Sequence, residues 1–423
     1  MVQADDAMPS LGAIRIALRE TTQRLASELA VPGMQAPAWN DFEWRSAMAA
    51  SVMHGMSGLL HGRLRWQGPP IWQAFLSEQK QQTLLRQQRI TALLAQLNEA
   101  GHAAGIPMVA MKGSALLALG VLADGERPMS DIDLLVQPQD RDRMLQLLQA
   151  MDYVVELDTA RHVCLRPAGS PSSPAFGEHA QNPVKIELHE RVFETLPIRE
   201  VDITALVFGA DACNGINAYP SKAALMSHIL LHTAGNIRTW SLRFIQLHDI
   251  ASLARCLDTQ DWTELVQHEA NSQGLWWALP PLRLASRHFP DAIPASVVRQ
   301  VERSSRPLLR LSSRRRTLVD VSMSAASIPA LPGLSWSASP AEAMTLMARR
   351  LMPGDDVHAI RRYYASTHFA LASPTWSRAS QAAKIVRWIL HRPPAPMTMY
   401  SIQQALAYRP VDAAWSSSNK AAV

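Results

Sequence analysis

The sequence predicts an α+β fold: a mixed sheet covered by helices, with helical regions before and after it. Three observations carry this. Up to about residue 104 apolar residues recur at helical spacing, between about 105 and 215 the period shortens to that of strands, and from 216 to 423 helical spacing returns. A helix, then strand and helix in turn, then consecutive strands is the pattern of the α+β class.

The elements follow in order. In the first zone, 1–104, "QQTLLRQQRITALLAQLNEAG" places Leu84, Leu85, Ile90, Leu93, Leu94 and Leu97 on one helical face. "SAMAASVMHGMSGLLHGRL" is also helix-like, although its glycines weaken it. In the second zone, 105–215, "IPMVAMKG" is a short apolar strand, and "SALLALGVL" a short helix capped by Ser114. "SDIDLLVQP" is a strand stopped by Pro138, and "QDRDRMLQLLQAM" an amphipathic helix. "YVVEL", "HVCLRP" and "VKIELHERV" are further strands. Between the last two, "AGSPSSPAFGEHAQNP" reads as a long, mobile hairpin connection. The third zone, 216–423, opens with "SKAALMSHILLHTAGNIRTWSLRFIQLHDIASLARCL", read as one long helical stretch. It also carries the basic segment 303–316 and a tail, "AAWSSSNKAAV", expected to fray.

Composition narrows the classes. Apolar residues make up 48% and charged residues 18%, which supports packed cores and excludes wholesale disorder. A net charge of +5 suits a protein that meets phosphates. Cys164, Cys213 and Cys256 have no paired or metal-ligand spacing, so ordinary thiols are expected. "MVQADDAMPS" lacks a basic and then apolar leader, and no run of eighteen uncharged apolar residues occurs. A soluble, cytoplasmic chain is therefore expected.

The chemistry begins at "DIDLLV". Residues i and i+2 of a strand share a face, about 7 Å apart. Asp131 and Asp133 thus lie together, and Ile132 and Leu134 turn into the core. Two unpaired buried carboxylates would cost several kcal/mol, and a divalent ion such as Mg²⁺ resolves this. The bland alternative is a hydrated strand end. In "VKIELHE", Glu187 alternates away from Val184 and Ile186, so an adjacent strand would bring a third carboxylate. Upstream, Gly113 and Ser114 open a helix whose N–H groups and hydroxyl make an anion site.

Gly-Ser before a short helix, then D-x-D on one strand and an acid on a later one, resembles the DNA polymerase β-like nucleotidyltransferase superfamily. More narrowly, "MKGSALL…ERPMSDIDLLV" is similar to a poorly characterised bacterial nucleotidyltransferase family with the hallmark K-G…R-x-x-x-D-x-D-h-L-V. His232, Trp240, Arg243 and Asp249 stand in that family's order, and "HGMSGLL" around His54 and "RLMPGDDVHAIRRYY" echo it. The resemblance implies a polymerase β-like sheet and Mg²⁺ (or Mn²⁺) on Asp131, Asp133 and Glu187, with Glu187 helping to deprotonate the acceptor. It implies Gly113 and Ser114 on the β- and γ-phosphates of an NTP, ATP first. Lys112 and Arg127 are added as cations, at least one of which meets the triphosphate. The family commonly has Asp where Glu187 stands.

The implied reaction transfers an NMP to a small molecule or peptide of a biosynthetic pathway and releases pyrophosphate. Alternatives are transfer to tRNA or protein, phosphoryl transfer on the same scaffold, and a non-catalytic nucleotide binder. His228 and His232 are spaced i, i+4 but lack a third ligand, so core or substrate-facing roles are read for them. Asp249 is read as a brace between helices and sheet, Arg243 as touching substrate or structure, and His189 as turning to the side opposite Glu187. Arg303, Arg306, Arg310, Arg314, Arg315 and Arg316 read as a solvated helix face, with RNA binding as the alternative. No basic amphipathic membrane signature is found.

Overall fold

The computed structural model describes residues 8–171, 175–270, 274–365, 376 and 378–410. The tail expected to fray, 413–423, lies outside them, as do residues 172–174 of the Pro- and Ser-rich connection.

The chain begins with helices α1 (Leu11–Ala30), α2 (Asp41–His54), α3 (Ser57–Arg63) and α4 (Pro70–Ala104). Asn40 and Glu43 cap α2 reciprocally: the Glu43 N–H donates to Asn40 Oδ1 at 3.0 Å and the Asn40 N–H to Glu43 Oε2 at 2.8 Å. Gly55, at φ 66°, closes α2 in the left-handed region and separates it from α3, which contains Gly58. The buried face of α4 differs from the leucine stripe expected. It runs through Trp72, Phe75, Gln79, Thr83, Arg86, Ile90 and Leu97, whereas Leu85 is 42% exposed. The reason is that α4 serves two cores. Trp72 and Phe75 enter the helical core, Ile90 and Leu97 enter the sheet core, and polar residues occupy the seam.

The sheet follows, with its covering helices: β1 (Pro107–Ala110), α5 (Gly113–Ala118), β2 (Asp131–Val136), α6 (Arg141–Ala150), β3 (Tyr153–Asp158), β4 (Val163–Pro167) and β5 (Lys185–His189). A hairpin of β6 (Phe193–Thr195) and β7 (Glu200–Asp202), helix α7 (Thr204–Val207) and strand β8 (Gly215–Asn217) complete the region. The strand order is β3-β4-β5-β2-β1-β8, mixed as expected: β2 runs parallel to β5 and antiparallel to β1, and β1 runs parallel to β8. Ile132, Leu134, Ile186 and Leu188 point to one side and form a core with Ile90, Leu97, Met144 and Leu148. The other side of the sheet faces the helical core. Ser114 is the second residue of α5 rather than its cap, and Lys112 precedes that helix with φ 52°.

The third zone contains α8 (Lys222–Thr239), α9 (Phe244–Ala254), α10 (Thr259–Ala270), α11 (Leu279–His288), α12 (Ala295–Ser304), α13 (Pro307–Arg315), α14 (Pro340–Leu351), α15 (Asp355–Ala365), α16 (Gln381–Leu390) and α17 (Pro396–Ala407). The stretch read as one helix is two. Trp240 turns left-handed at φ 63°, and the Leu242 N–H leaves to donate to Val321 O at 3.1 Å. Helix α17 returns to the start of the chain, where Arg45 Nη1 donates to Ala405 O at 3.2 Å and to Tyr408 O at 2.8 Å. Buried residues of the first and third zones share one core, which contains Trp72, Trp277, Trp336 and Phe244. Much of the basic segment is engaged: Arg306 lies 3.7 Å over the Trp276 ring, and Arg314 pairs with Glu302 at 2.6 Å. Among the described residues no helix is long and apolar enough to cross a membrane.

Candidate active site

Strand register assembles the carboxylates. Asp133 pairs directly with Glu187 across the parallel β2–β5 ladder, and Asp131 lies two residues earlier on the same face. Lys112 Nζ reaches Asp133 Oδ1 at 2.6 Å, and His189 Nε2 stands 3.2 Å from the same oxygen. His189 Nε2 is also 3.6 Å from Glu187 Oε2, and His162 Nε2 is 3.7 Å from Glu187 Oε1. This corrects the expectation for His189. It sits on the same side as Glu187, as a strand period of two requires. His162, from the turn before β4, was not singled out in the sequence at all. Ligand atoms of His162, Glu187 and His189 lie within 4.8 Å of one another, a spacing that suits metal coordination.

Burial and neighbouring charge set the protonation of the group. Burial, then Glu187 and Asp133, push the Asp131 carboxyl up to about 7. Burial also raises Asp133, but Lys112 and the His189 hydrogen bond outweigh it and hold that carboxyl well below its ordinary value. Glu187 is likewise raised by burial and brought below its ordinary value, chiefly by the hydrogen bond with His189. Three carboxylates on one patch, one of them resisting ionisation, form a donor set that a divalent cation would relieve. Among the described residues, the donor atoms close enough to share one ion come from His162, Glu187 and His189, and Asp131 and Asp133 stand beside them on the same face.

A cavity of about 530 Å³ opens beside Asp131 and Glu187. Its walls come from α2, α4, the β4–β5 connection, α15 and α17. That connection, expected to be mobile, is pinned where it is described. The Glu178 N–H donates to Gln79 Oε1 at 2.8 Å, and Phe176 stacks on Phe75 with centroids 6.1 Å apart. Four cations line the cavity, and three of them are matched by acids. Lys185 pairs with Glu156 at 2.5 Å, Arg161 with Glu194, and Arg86 lies 3.4 Å from Glu178. Arg86 also donates to the carbonyls of Met129, Ser130, Asn182 and Pro183, and so ties α4 to the sheet. The fourth cation is Arg243. Its Nε donates to Met53 O at 3.1 Å, and among the described residues no carboxylate lies within ion-pairing distance of it. A Cβ on Gly55 would meet Arg243 Nη2 at 3.0 Å, so the bare backbone there makes room for the guanidinium.

The remaining predicted residues are also placed. Arg127 Nε and Nη2 each lie 2.9 Å from an oxygen of Asp249, which braces α9 against the loop before β2. An ideal Cβ on Gly113 would stand 2.2 Å from Arg127 Nη1, so this glycine leaves space for the guanidinium. Ser114 is buried just behind it. His228 Nδ1 bonds the Tyr219 hydroxyl at 2.7 Å, and His232 Nε2 bonds Asn236 at 3.1 Å; the two rings keep separate partners.

A sequence model of the family described as "Uncharacterised nucleotidyltransferase" matches residues 40–290, which spans α2 to α11 and the whole site apart from Met323 and the α15 and α17 wall. No curated protein matches the chain.

Proposed function

The chain belongs to the uncharacterised nucleotidyltransferase family, and on that premise we propose that it moves an NMP from an NTP, ATP first, to an acceptor and releases pyrophosphate. The observation that carries this is the register of Asp131, Asp133 and Glu187 on one face, with Asp131 and Glu187 lining the 530 Å³ cavity. Asp131, Asp133 and Glu187 would hold Mg²⁺ or Mn²⁺, which when bound activates an attacking oxygen or nitrogen and neutralises charge on the leaving pyrophosphate. The acceptor attacks the α-phosphorus as the α–β P–O bond breaks, and Glu187 takes the acceptor's proton. Arg243 is available to an incoming triphosphate because no carboxylate among the described residues forms an ion pair with it. Lys112 orients Asp133 through their 2.6 Å contact, and Arg127 holds the loop before β2 in place.

The cavity favours a small molecule or peptide acceptor over tRNA. Met53, Leu157, Phe176, Met323 and Met397 line it, and its volume lies in the range of small-molecule sites, roughly 300–1,000 Å³. Such an enzyme would work in the cytoplasm, where NTPs are supplied.

The test is calorimetry of ATP with Mg²⁺ on the wild type and on Asp131→Ala/Asp133→Ala, followed by the mass of modified acceptors. Metal-dependent binding lost in the double variant, with a mass gain of one NMP, supports the reading. A gain of one phosphate would replace it with phosphoryl transfer, and no nucleotide binding by the folded wild type would overturn it.

A further inference from the structure

A second cavity, of about 230 Å³, is lined in part by residues next in the chain to those of the catalytic one. Met323 lines the catalytic cavity and Ser324 and Ala325 line this one; in the same way Arg243 faces the first and Trp240 the second. Four arginines from three distant parts of the chain border it: Arg15 and Arg19 on α1, Arg316 after α13, and Arg392 between α16 and α17. Asp320 also lines it, but that carboxylate already accepts from the Thr317 N–H at 2.9 Å and hydroxyl at 2.8 Å. It stands 4.0 Å from Arg19. Among the described residues, four guanidinium groups against one carboxylate leave a positive excess.

Two buried donors point the same way. Arg15 Nε and Trp240 Nε1 belong to residues lining this cavity, are shut off from solvent, and have no hydrogen-bond acceptor among the described residues, while Arg15 Nη2 donates to Arg392 O at 2.8 Å. Buried N–H groups are normally paired, so an unmet pair beside clustered cations marks a place for an acceptor. Trp240 is held there by a left-handed backbone, which a bulky residue adopts only under constraint. Burial, then the charge of Arg392, holds the Arg15 guanidinium below its ordinary value, as expected of cations crowded without a counter-ion.

We propose that this cavity is a binding site for a phosphate-type oxyanion, separate from the catalytic pocket. Guanidinium forks match the oxygens of such an anion, and the unmet Arg15 and Trp240 N–H groups supply donors a tetrahedral anion can accept from. The site also absorbs the end of the basic segment: Arg316 serves this anion while Arg306 lies over Trp276 and Arg314 pairs with Glu302 of α12.

The probe is inorganic phosphate, titrated calorimetrically against chloride at fixed ionic strength. It is added to the Asp131→Asn/Asp133→Asn chain in a chelator, which silences the metal-dependent pocket. Saturable phosphate binding is expected. It should weaken at least tenfold in a background that also carries Arg15→Gln/Arg392→Gln, and be unchanged by Arg243→Gln. No phosphate-specific binding, or binding indifferent to the arginine substitutions, would overturn the proposal. Should the double arginine variant fail to fold, Arg392→Gln alone gives the same readout, because Arg392 is exposed. A repeat with a phosphate monoester separates the sources: equal affinity assigns the site to a phosphorylated small molecule, and phosphate alone to the free anion.

Discussion

Arg127 and Asp249 face each other through two 2.9 Å contacts, with side chains only 15% and 5% exposed, and join the loop before β2 to helix α9. Breaking such a pair strands a buried charge, at about 3–5 kcal/mol. Asp249→Ala should therefore lower unfolding stability by about that much, and Arg127→Met/Asp249→Leu should recover most of the loss. Urea unfolding checks both; a double variant as unstable as the single one would show that the pair acts through more than its own charge.

Gly113 belongs to the same arrangement. Its ideal Cβ would meet Arg127 Nη1 at 2.2 Å and Cζ at 2.7 Å. Gly113→Ala should cost about 1–3 kcal/mol through displacement of the guanidinium. In an Arg127→Met background the cost should shrink, which a thermodynamic cycle of the four proteins would measure.

Arg243 gives the sharpest test of substrate binding. Arg243→Gln should weaken Mg²⁺–ATP binding on the order of 10- to 100-fold, the worth of charge-assisted hydrogen bonds. Arg243→Lys should restore part of it, because it keeps the charge but not the fork. Calorimetry separates this from misfolding if unfolding midpoints stay close to that of the wild type. Unchanged affinity in Arg243→Gln would move the triphosphate elsewhere.

The buried histidines predict an acid limit. Burial, as the largest cause, holds His54, His228 and His248 at about 3 and His288 at about 4, against 6.5 for a free side chain. Below pH 6.5 the unfolded chain takes up protons that the folded chain refuses, so stability is complete above that pH and falls as acid is added. The loss continues until the folded values are reached. Each ring costs about 1.4 kcal/mol per pH unit in that window. Denaturation midpoints at pH 8, 7, 6 and 5 should be level at first and then drop steeply; a flat profile to pH 5 would contradict buried, neutral rings.

How much of this was legible in the sequence depends on whether an interaction is local. Asp131 and Asp133 could be placed from a period of two, and the Glu187 alternation brought the third acid to the same face; β2–β5 register adds their direct pairing. The same arithmetic, applied to His189, would have put it beside Glu187, so that residue was readable and misread. His162 was not readable, because its place depends on β4 pairing with β5. Nor was Arg86: a cation on a helix reads as solvent-facing, and four distant carbonyls together with Glu178 explain its burial. The division of α4 between two cores likewise defeats any rule that seeks a single stripe.

Because Met397, Tyr400 and Ser401 of α17 wall the cavity that Asp131 and Glu187 floor, the site has an order of completion. A ribosome releases the carboxylate strands first and the closing helix far later. A growing chain thus has its acids and the α2 and α4 walls in place before the α17 wall exists. The last of the cavity's described walls therefore waits on the translation of Met397, Tyr400 and Ser401.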